Sequence, residues 1–430
     1  MIYKKTLTLC LSLLPFTGVF AQKDIQQKDV ERIIRTLAAD DMMGRKTFTP
    51  GVEKAADFIS NEFKQIGLQP LAGDTDFKQE FKVFTLKPSK ADIEINGSRL
   101  KPEEFFFSTV HRKVEWEEKA PQPIFIGEND DFRQGINKAR RVEKDALVII
   151  HPKHQEMFNR YAGYFKQSAP VTELGKGNTK IFVLSPLTQV TSFDIEIKND
   201  VEELPLANVA GMIPGNRTDE YIVFSGHYDH IGTMQPVAGD SIANGADDDA
   251  SGTTAVITLA KHFKKQAKPE RTLLFVAFTA EEIGGYGSQH FSQQLNPDEI
   301  VAMFNIEMIG KGSKFGPNSA YITGFEKSDF GTLLQQAVKG TPYSFHPDPY
   351  PSQNLFYRSD NATLARLGVP AHTISSVQID KDKLYHSVDD EVESLDMAHM
   401  TNMIKAIAMG AKDFVQGKKT PKRVDKTQVQ

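Results

Sequence analysis

Phe224-Ser-Gly-His227-Tyr-Asp229-His230-Ile-Gly decides the fold, because it closes a short apolar run and places chemistry-bearing side chains directly after it. Similar apolar runs occupy residues 206–213, 221–224, 273–278, 301–306 and 370–374. Between several of them lie patterns of helical period, such as Ala255, Val256, Leu259, Ala260 and Phe263. Continuous apolar runs separated by amphipathic helices predict an α/β sheet covered on both faces. A final helix is expected through Ile404, Ile407, Ala408, Ala411 and Phe414.

The 430 residues exceed the usual size of one hydrophobic core, so a second domain or a large insertion is expected. The texture changes at residues 87–200, where Ile93-Glu-Ile95-Asn96-Gly97 reads as a strand entering an Asn-Gly turn. Further short strands are expected around residues 114–116, 146–150, 181–184 and 193–197, giving a β-rich insertion domain, a lid or protein-contact module. Its histidines, His111, His151 and His154, read as exposed surface residues. Ahead of it, residues 22–86 carry two packing helices. One has Val30, Ile33, Ile34 and Leu37 on a single face; the other follows Pro50 and stops at Gly67. Residues 201–416 form the expected catalytic domain, and the basic, polar stretch 417–430 reads as a disordered tail.

Composition excludes several classes. Hydrophobic content of 40% and charged content of 25% are ordinary for a globular protein. A net charge of −5 gives no support for nucleic acid or an anionic membrane surface as a partner. Residues 1–21 read as a signal peptide, with Lys4 and Lys5, an apolar stretch, and a small-residue cleavage pattern ending at Ala21. Pro15 and Gly18 break that stretch, which is too short for a good membrane span. The single cysteine, Cys10, lies inside it, and Leu7-Thr8-Leu9 is not the small-residue context of a lipidated cysteine. Any metal in the mature chain is therefore held by His, Asp and Glu. Nothing in the chain specifies an oligomeric state.

Ligands of open α/β sheets bind beyond the carboxyl ends of the strands. His227, the Glu281–Glu282 pair and Glu307 each follow the end of an apolar run, which argues for one shared site. His227 and Asp229, at i and i+2, point the same way in extended geometry, so Asp229 can accept from the ring nitrogen that does not face a metal. Asp247-Asp248-Asp249 precedes a helix, where each acid is favoured by about 0.3–1 kcal/mol. Three together repel one another, and a cation relieves that. A carboxylate has two oxygens and can bridge two metals about 3.5–4 Å apart. Glu281 and Glu282 diverge on an extended backbone, so one can bind metal while the other serves as general acid/base. His386 supplies a nitrogen from a loop, with Asp389 and Asp390 near enough to hydrogen-bond it or its surroundings.

The ordered motifs SGHYDH, NGADDDASGT, TAEEIGGYGS, NIEMIG and YHSVDD resemble the co-catalytic, di-zinc aminopeptidase family of metallopeptidases, which includes bacterial leucine aminopeptidases, glutamate carboxypeptidases and glutaminyl cyclases. The resemblance spans residues 204–412 and, more faintly, 26–85. It implies a zinc-exopeptidase fold, with a mixed, mostly parallel sheet in an α/β/α sandwich. It further implies two zinc ions held by His227, Asp248, Glu282, Glu307 and His386. Asp248 would bridge, Glu282 and His386 would complete one site, and His227 and Glu307 the other. Glu281 would be the general base, Asp229 would orient His227, and a cis peptide would join Asp248 to Asp249. His230 would stand behind the ligands. At Glu307 the family most often has aspartate, one methylene shorter. Leu355-Phe-Tyr357-Arg358-Ser359-Asp360-Asn361 looks like a pocket-lining stretch in which Tyr357 or Arg358 faces the oxyanion.

The function implied is that of an exported aminopeptidase, periplasmic or secreted, acting on peptides, with no nucleic-acid partner and no membrane insertion once the leader is removed. Glutaminyl cyclase chemistry and carboxypeptidase or dipeptidase activity are the alternatives on the same scaffold. A receptor-like member without catalysis is disfavoured because no expected ligand is missing.

Overall fold

A computed structural model describes residues 25–117, 121–166 and 169–429; the expected signal peptide, with Cys10, lies outside the described residues. The chain divides into two compact units. One comprises residues up to 78, 209–282 and 291 onward; the other comprises 79–208 and 283–290.

In the first unit the predicted apolar runs form a mixed, mostly parallel sheet. Strands Ser344–Pro347, Ser319–Ile322, Ala371–Ser375, Ile300–Ile306, Arg217–His227 and Arg271–Phe278 lie side by side in that order, and the last pairs with residues 209–213 of strand Phe193–Ile213. Arg217–His227 is flanked by Arg271–Phe278 and Ile300–Ile306, both parallel to it and both later in the chain. The chain order reverses there, which is where open α/β sheets form their crevice.

Side-chain alternation covers both faces. Ile222, Phe224, Leu273, Phe275, Phe304 and Ile306 join one apolar cluster with helices Gln27–Leu37, Pro50–Ile66, Ser251–Lys264 and Met397–Val415. Val223, Leu274, Val276, Phe278 and Met303 face a second cluster with Leu364 and Ala365 of helix Asn361–Arg366. Phe224 sits at the centre of the first. It is in register with Phe275 and Phe304 on the neighbouring strands, and its ring centroid is 5.3 Å and 5.1 Å from theirs. Phe224→Ala is therefore expected to cost about 3–5 kcal/mol of unfolding free energy, read from denaturant titration.

Two short strands, Ser319–Ile322 and Ser344–Pro347, extend the sheet beyond the predicted runs. The stretch after Gly417 departs from its expectation as a disordered tail. Arg271 donates to the carbonyls of Phe414 and Lys419, Arg423 donates to the carbonyl of Ile300, Lys422 N–H donates to Asp329, and Val424 is buried. Polar composition misleads here because Arg423 of this stretch and Arg271 of the central sheet donate to main-chain carbonyls and so hold the stretch down.

The second unit contains the expected strands but is less purely β than its sequence suggests. Asn96 and Gly97, both at positive φ, turn strand Lys78–Ile95 into Ser98–Arg99. Phe105–Ser108, Lys180–Leu184, Ala146–Ile150 and Ile124–Ile126 make a four-stranded sheet, its last three strands parallel. Helices Phe132–Arg141 and Gln155–Lys166 accompany it, burying Phe132, Ile136, Ala139 and Phe158. The three histidines are half-buried rather than exposed, and each holds a turn: His111 and His154 bond the carbonyls of Gly177 and Gly127, and His151 accepts from Lys153 N–H. No described helix is long and apolar enough to cross a membrane.

Candidate metal centre

All the side chains expected at the site lie in the first unit, at the carboxyl ends of the central strands or on the loops facing them. His227 is the last residue of its strand and is paired in register with Phe278, so the Glu281–Glu282 turn follows on the adjacent strand. Glu307 follows Ile306 on the other side. Asp248 lies in the irregular turn Ala246–Ala250 that enters helix Ser251–Lys264, and the Asp248–Asp249 peptide is cis.

Two groups of donors result: His230, Asp248, Glu282 and His386 in one, and His227, Asp248 and Glu307 in the other. Within each group, one donor atom per residue lies within 4.8 Å of all the others. Asp248 belongs to both. Its Oδ1 is 3.3 Å from Nε2 of His227, and its Oδ2 is 3.2 Å from Nε2 of His386. Glu282 Oε2 is also 3.2 Å from His386 Nε2. The longer side chain of Glu307 still reaches its group. His230, expected behind the ligands, stands closer: its Nδ1 is 2.8 Å from Glu282 Oε1 and 3.8 Å from Asp248 Oδ2.

The donor set fits metal ions. The buried atoms His227 Nε2, His386 Nε2 and Glu307 Oε2 all lack a hydrogen-bond partner while aiming into the groups. Burial drives Glu281 well above the usual carboxylate range, helped by repulsion from Glu307, Asp360 and Glu282 and opposed by His227. Burial likewise pushes Glu307 up to about 7. The carboxylates of Asp248 and Glu282, each 3.2 Å from its ring, lift His386 to about 10. Burial works against a charge on Asp248, yet contacts from His227 and His386 hold it well below the usual range. So many acids gathered away from water repel one another strongly, and cations at the two groups relieve that cost.

Asp229 acts differently from its expectation. The ring Nδ1 of His227 is 3.1 Å from the main-chain carbonyl of Asp229, and the nearer carboxylate oxygen stands off at 3.9 Å. The carboxylate instead accepts from the N–H groups of Glu281 (3.0 Å) and Glu282 (3.4 Å) and from the Thr47 hydroxyl (3.0 Å). One residue thus orients His227 through its backbone and the acid pair through its side chain. Asp249 is a second clamp, accepting from the N–H groups of His227, Gly252 and Met308. Glycine is required at 252, because a Cβ there would come within 2.0 Å of the Ile306 carbonyl oxygen and 2.4 Å of the Asp249 carboxylate. Asp390 accepts from the N–H groups of Asp247 (3.0 Å) and Asp248 (3.1 Å) rather than bonding His386, and Asp389 is exposed. Ala280, Met308 and His386 all have positive φ, of 58°, 53° and 56°. Backbone strain of this kind gathers at functional sites, and here it marks the turns that aim the donors.

Several contributors carry no motif that marks their role in the sequence. Arg45, fully buried, donates to the carbonyls of Tyr228, Asn244, Gly245 and Leu37, joining the turn after His227 to the loop before Asp248. Tyr385 stacks on His386 with centroids 3.9 Å apart. A pocket lined by Asp248, Glu281, Glu282, Glu307, Tyr321 and Arg358 opens beside the donors, with Met308, Leu355, Val377 and Ile379 supplying apolar surface. Tyr357 does not line it; its hydroxyl points to the Gln428 carbonyl.

These features define an α/β protein with two donor groups bridged by one carboxylate at the topological switch point of its sheet. Residues 208–411, just under half of the chain, match the model of peptidase family M28. Leucine aminopeptidase 1 of Ajellomyces capsulatus is 32% identical over 215 residues, 46% of this chain and 53% of that protein. The chain thus spans about half the length of the curated relatives it matches. A zinc aminopeptidase from Bacillus subtilis has the same fold at a TM-score of 0.54 and 16% identity, covering 92% of this chain and 97% of that one. An aminopeptidase from Aneurinibacillus sp. strain AM-1 does so at 0.52 and 17%, covering 95% and 97%.

Proposed function

We propose that the protein is an exported, zinc-dependent aminopeptidase that hydrolyses N-terminal peptide bonds. The observation that carries this is the pair of donor groups sharing Asp248, with Glu281 lining the same pocket yet belonging to neither group. Asp248, Glu282 and His386, with His230 against them, would hold one zinc; Asp248, His227 and Glu307 would hold the other. When bound, zinc supplies a Lewis acid and lowers the pKa of water to about 7.

Glu281 takes the proton of the attacking water and returns it to the leaving amine as the C–N bond breaks. Asp229 fixes its backbone, so the carboxylate stays aimed into the pocket. Arg358 would face the oxyanion, a reading supported by its place in the lining of the same pocket, whereas the Tyr357 hydroxyl bonds the Gln428 carbonyl. The carboxylates receive the free α-amine of the substrate, and the apolar wall takes the side chain of its first residue. A complete second group containing His227 and Glu307 disfavours single-zinc glutaminyl cyclase chemistry on this scaffold.

A panel of aminoacyl-anilides, N-blocked peptides and peptides scored for carboxyl-terminal release, with and without chelator, tests the proposal. Only free-amine substrates are expected to be cleaved, with activity lost on chelation and restored by zinc. Cleavage of N-blocked peptides from the carboxyl end, or cyclisation of N-terminal glutamine, would replace it with the corresponding alternative.

A further inference from the structure

Behind the donors lies a second constellation, built around Lys311. Its ammonium is 2.8 Å from Asp382, 3.2 Å from Asp390 and 3.7 Å from Asp247, and its side chain is 15% exposed. Each of these carboxylates also holds main-chain N–H groups near the donors. Asp390 receives those of Asp247 and Asp248. Asp247 receives that of Gly310, three residues beyond Glu307. Asp382 receives that of Leu384, two residues before His386. The Lys311 carbonyl is itself bonded by the Ser376 hydroxyl, which anchors the lysine's own segment.

One cation therefore ties together the three segments that deliver Asp248, Glu307 and His386, and it touches none of the three. The other buried cation near them, Arg45, spends its described hydrogen bonds on carbonyl oxygens and does not bond these carboxylates. Without Lys311, Asp247 and Asp390 would share a buried space with no cation at ion-pair distance among the described residues, and parting of their loops relieves the repulsion. Parting moves the amides behind Asp248, and with them the carboxylate that both groups share.

We propose that Lys311 is a positioning residue for both metal groups, setting their affinity through the backbone of Asp248 and the loop of His386. The proposal rests on the di-zinc proposal and adds to it a determinant outside the donor set. Partners behind metal ligands typically set affinity by about 10–100-fold.

The test is zinc affinity, measured by competition with a chromophoric chelator on the full-length protein, independent of turnover. Lys311→Met is expected to weaken both sites by about 10–100-fold, and Lys311→Arg to recover part of that loss. Asp382→Asn, which frees only the tie to the His386 loop, is expected to weaken the site containing His386 and spare the one containing His227. Folded Lys311→Met with both affinities within about twofold of wild type would overturn the proposal. If Lys311→Met does not fold, Asp382→Asn decides: unchanged affinity at the His386 site overturns the proposal, and selective weakening there supports it. Wild-type protein that takes up no zinc would instead defeat the metal-centre proposal itself.

Discussion

Glu281→Gln is expected to lower kcat on an aminoacyl-anilide by about 10²–10⁴-fold, with zinc content unchanged. The physical reason is that Glu281 contributes a proton acceptor and no metal-binding atom. Its neighbour Glu282 is engaged on both oxygens, one against His230 and one against His386, whereas Glu281 lines the same pocket and belongs to neither donor group. Glutamine keeps the size of the side chain and the backbone N–H that Asp229 accepts, so the turn and the Glu282 donor stay in place. Kinetics and elemental analysis on the same preparation separate the two contributions. A variant with near-wild-type turnover would show that another group moves the proton, and one that loses zinc would show that Glu281 is a ligand.

Asp248→Asn should have the opposite signature, with zinc lost from both groups together. Among the described residues, Asp248 is the only side chain common to the two, with one oxygen turned to His227 and the other to His386. An amide offers one oxygen acceptor where the carboxylate offers two charged ones, so it cannot serve both cations. His386→Ala, by comparison, removes a donor from one group only. Equal zinc loss in the two variants would mean that the groups are coupled through something other than Asp248.

The legibility of this centre in the sequence follows the physics of each contribution. His227, Glu282 and Glu307 could be found because polar donors directly after continuous apolar runs have few structural reasons to be there. Asp248 stood out because three adjacent acids are costly without a cation. The clamps were harder to see. Arg45 lies about 180 residues before the turn it secures and acts on carbonyl oxygens, which carry no side-chain signature. Lys311 reads as an ordinary surface lysine until the fold places Asp382 and Asp390 around it. The i, i+2 spacing marks Asp229 as a helper of His227, but its carboxylate faces the Glu281–Glu282 turn, which backbone geometry decides rather than spacing.

The same limit applied to the scaffold. The buried parallel strands were visible as apolar runs, and the Asn96-Gly97 turn was visible from its chemistry. Strands Ser319–Ile322 and Ser344–Pro347 are four residues each, too short for periodicity to register. Helix Phe132–Arg141 has a sign legible in the sequence: Asp131 caps it by accepting from Gln134 N–H ahead of the spaced apolar residues Phe132, Ile136 and Ala139.

Zinc counted per chain on freshly purified protein tests the central claim most directly. Two zinc ions per chain, removed by chelator and rebound on dialysis against zinc, is the predicted result. A wild-type chain that saturates at one ion, or binds none, would contradict it.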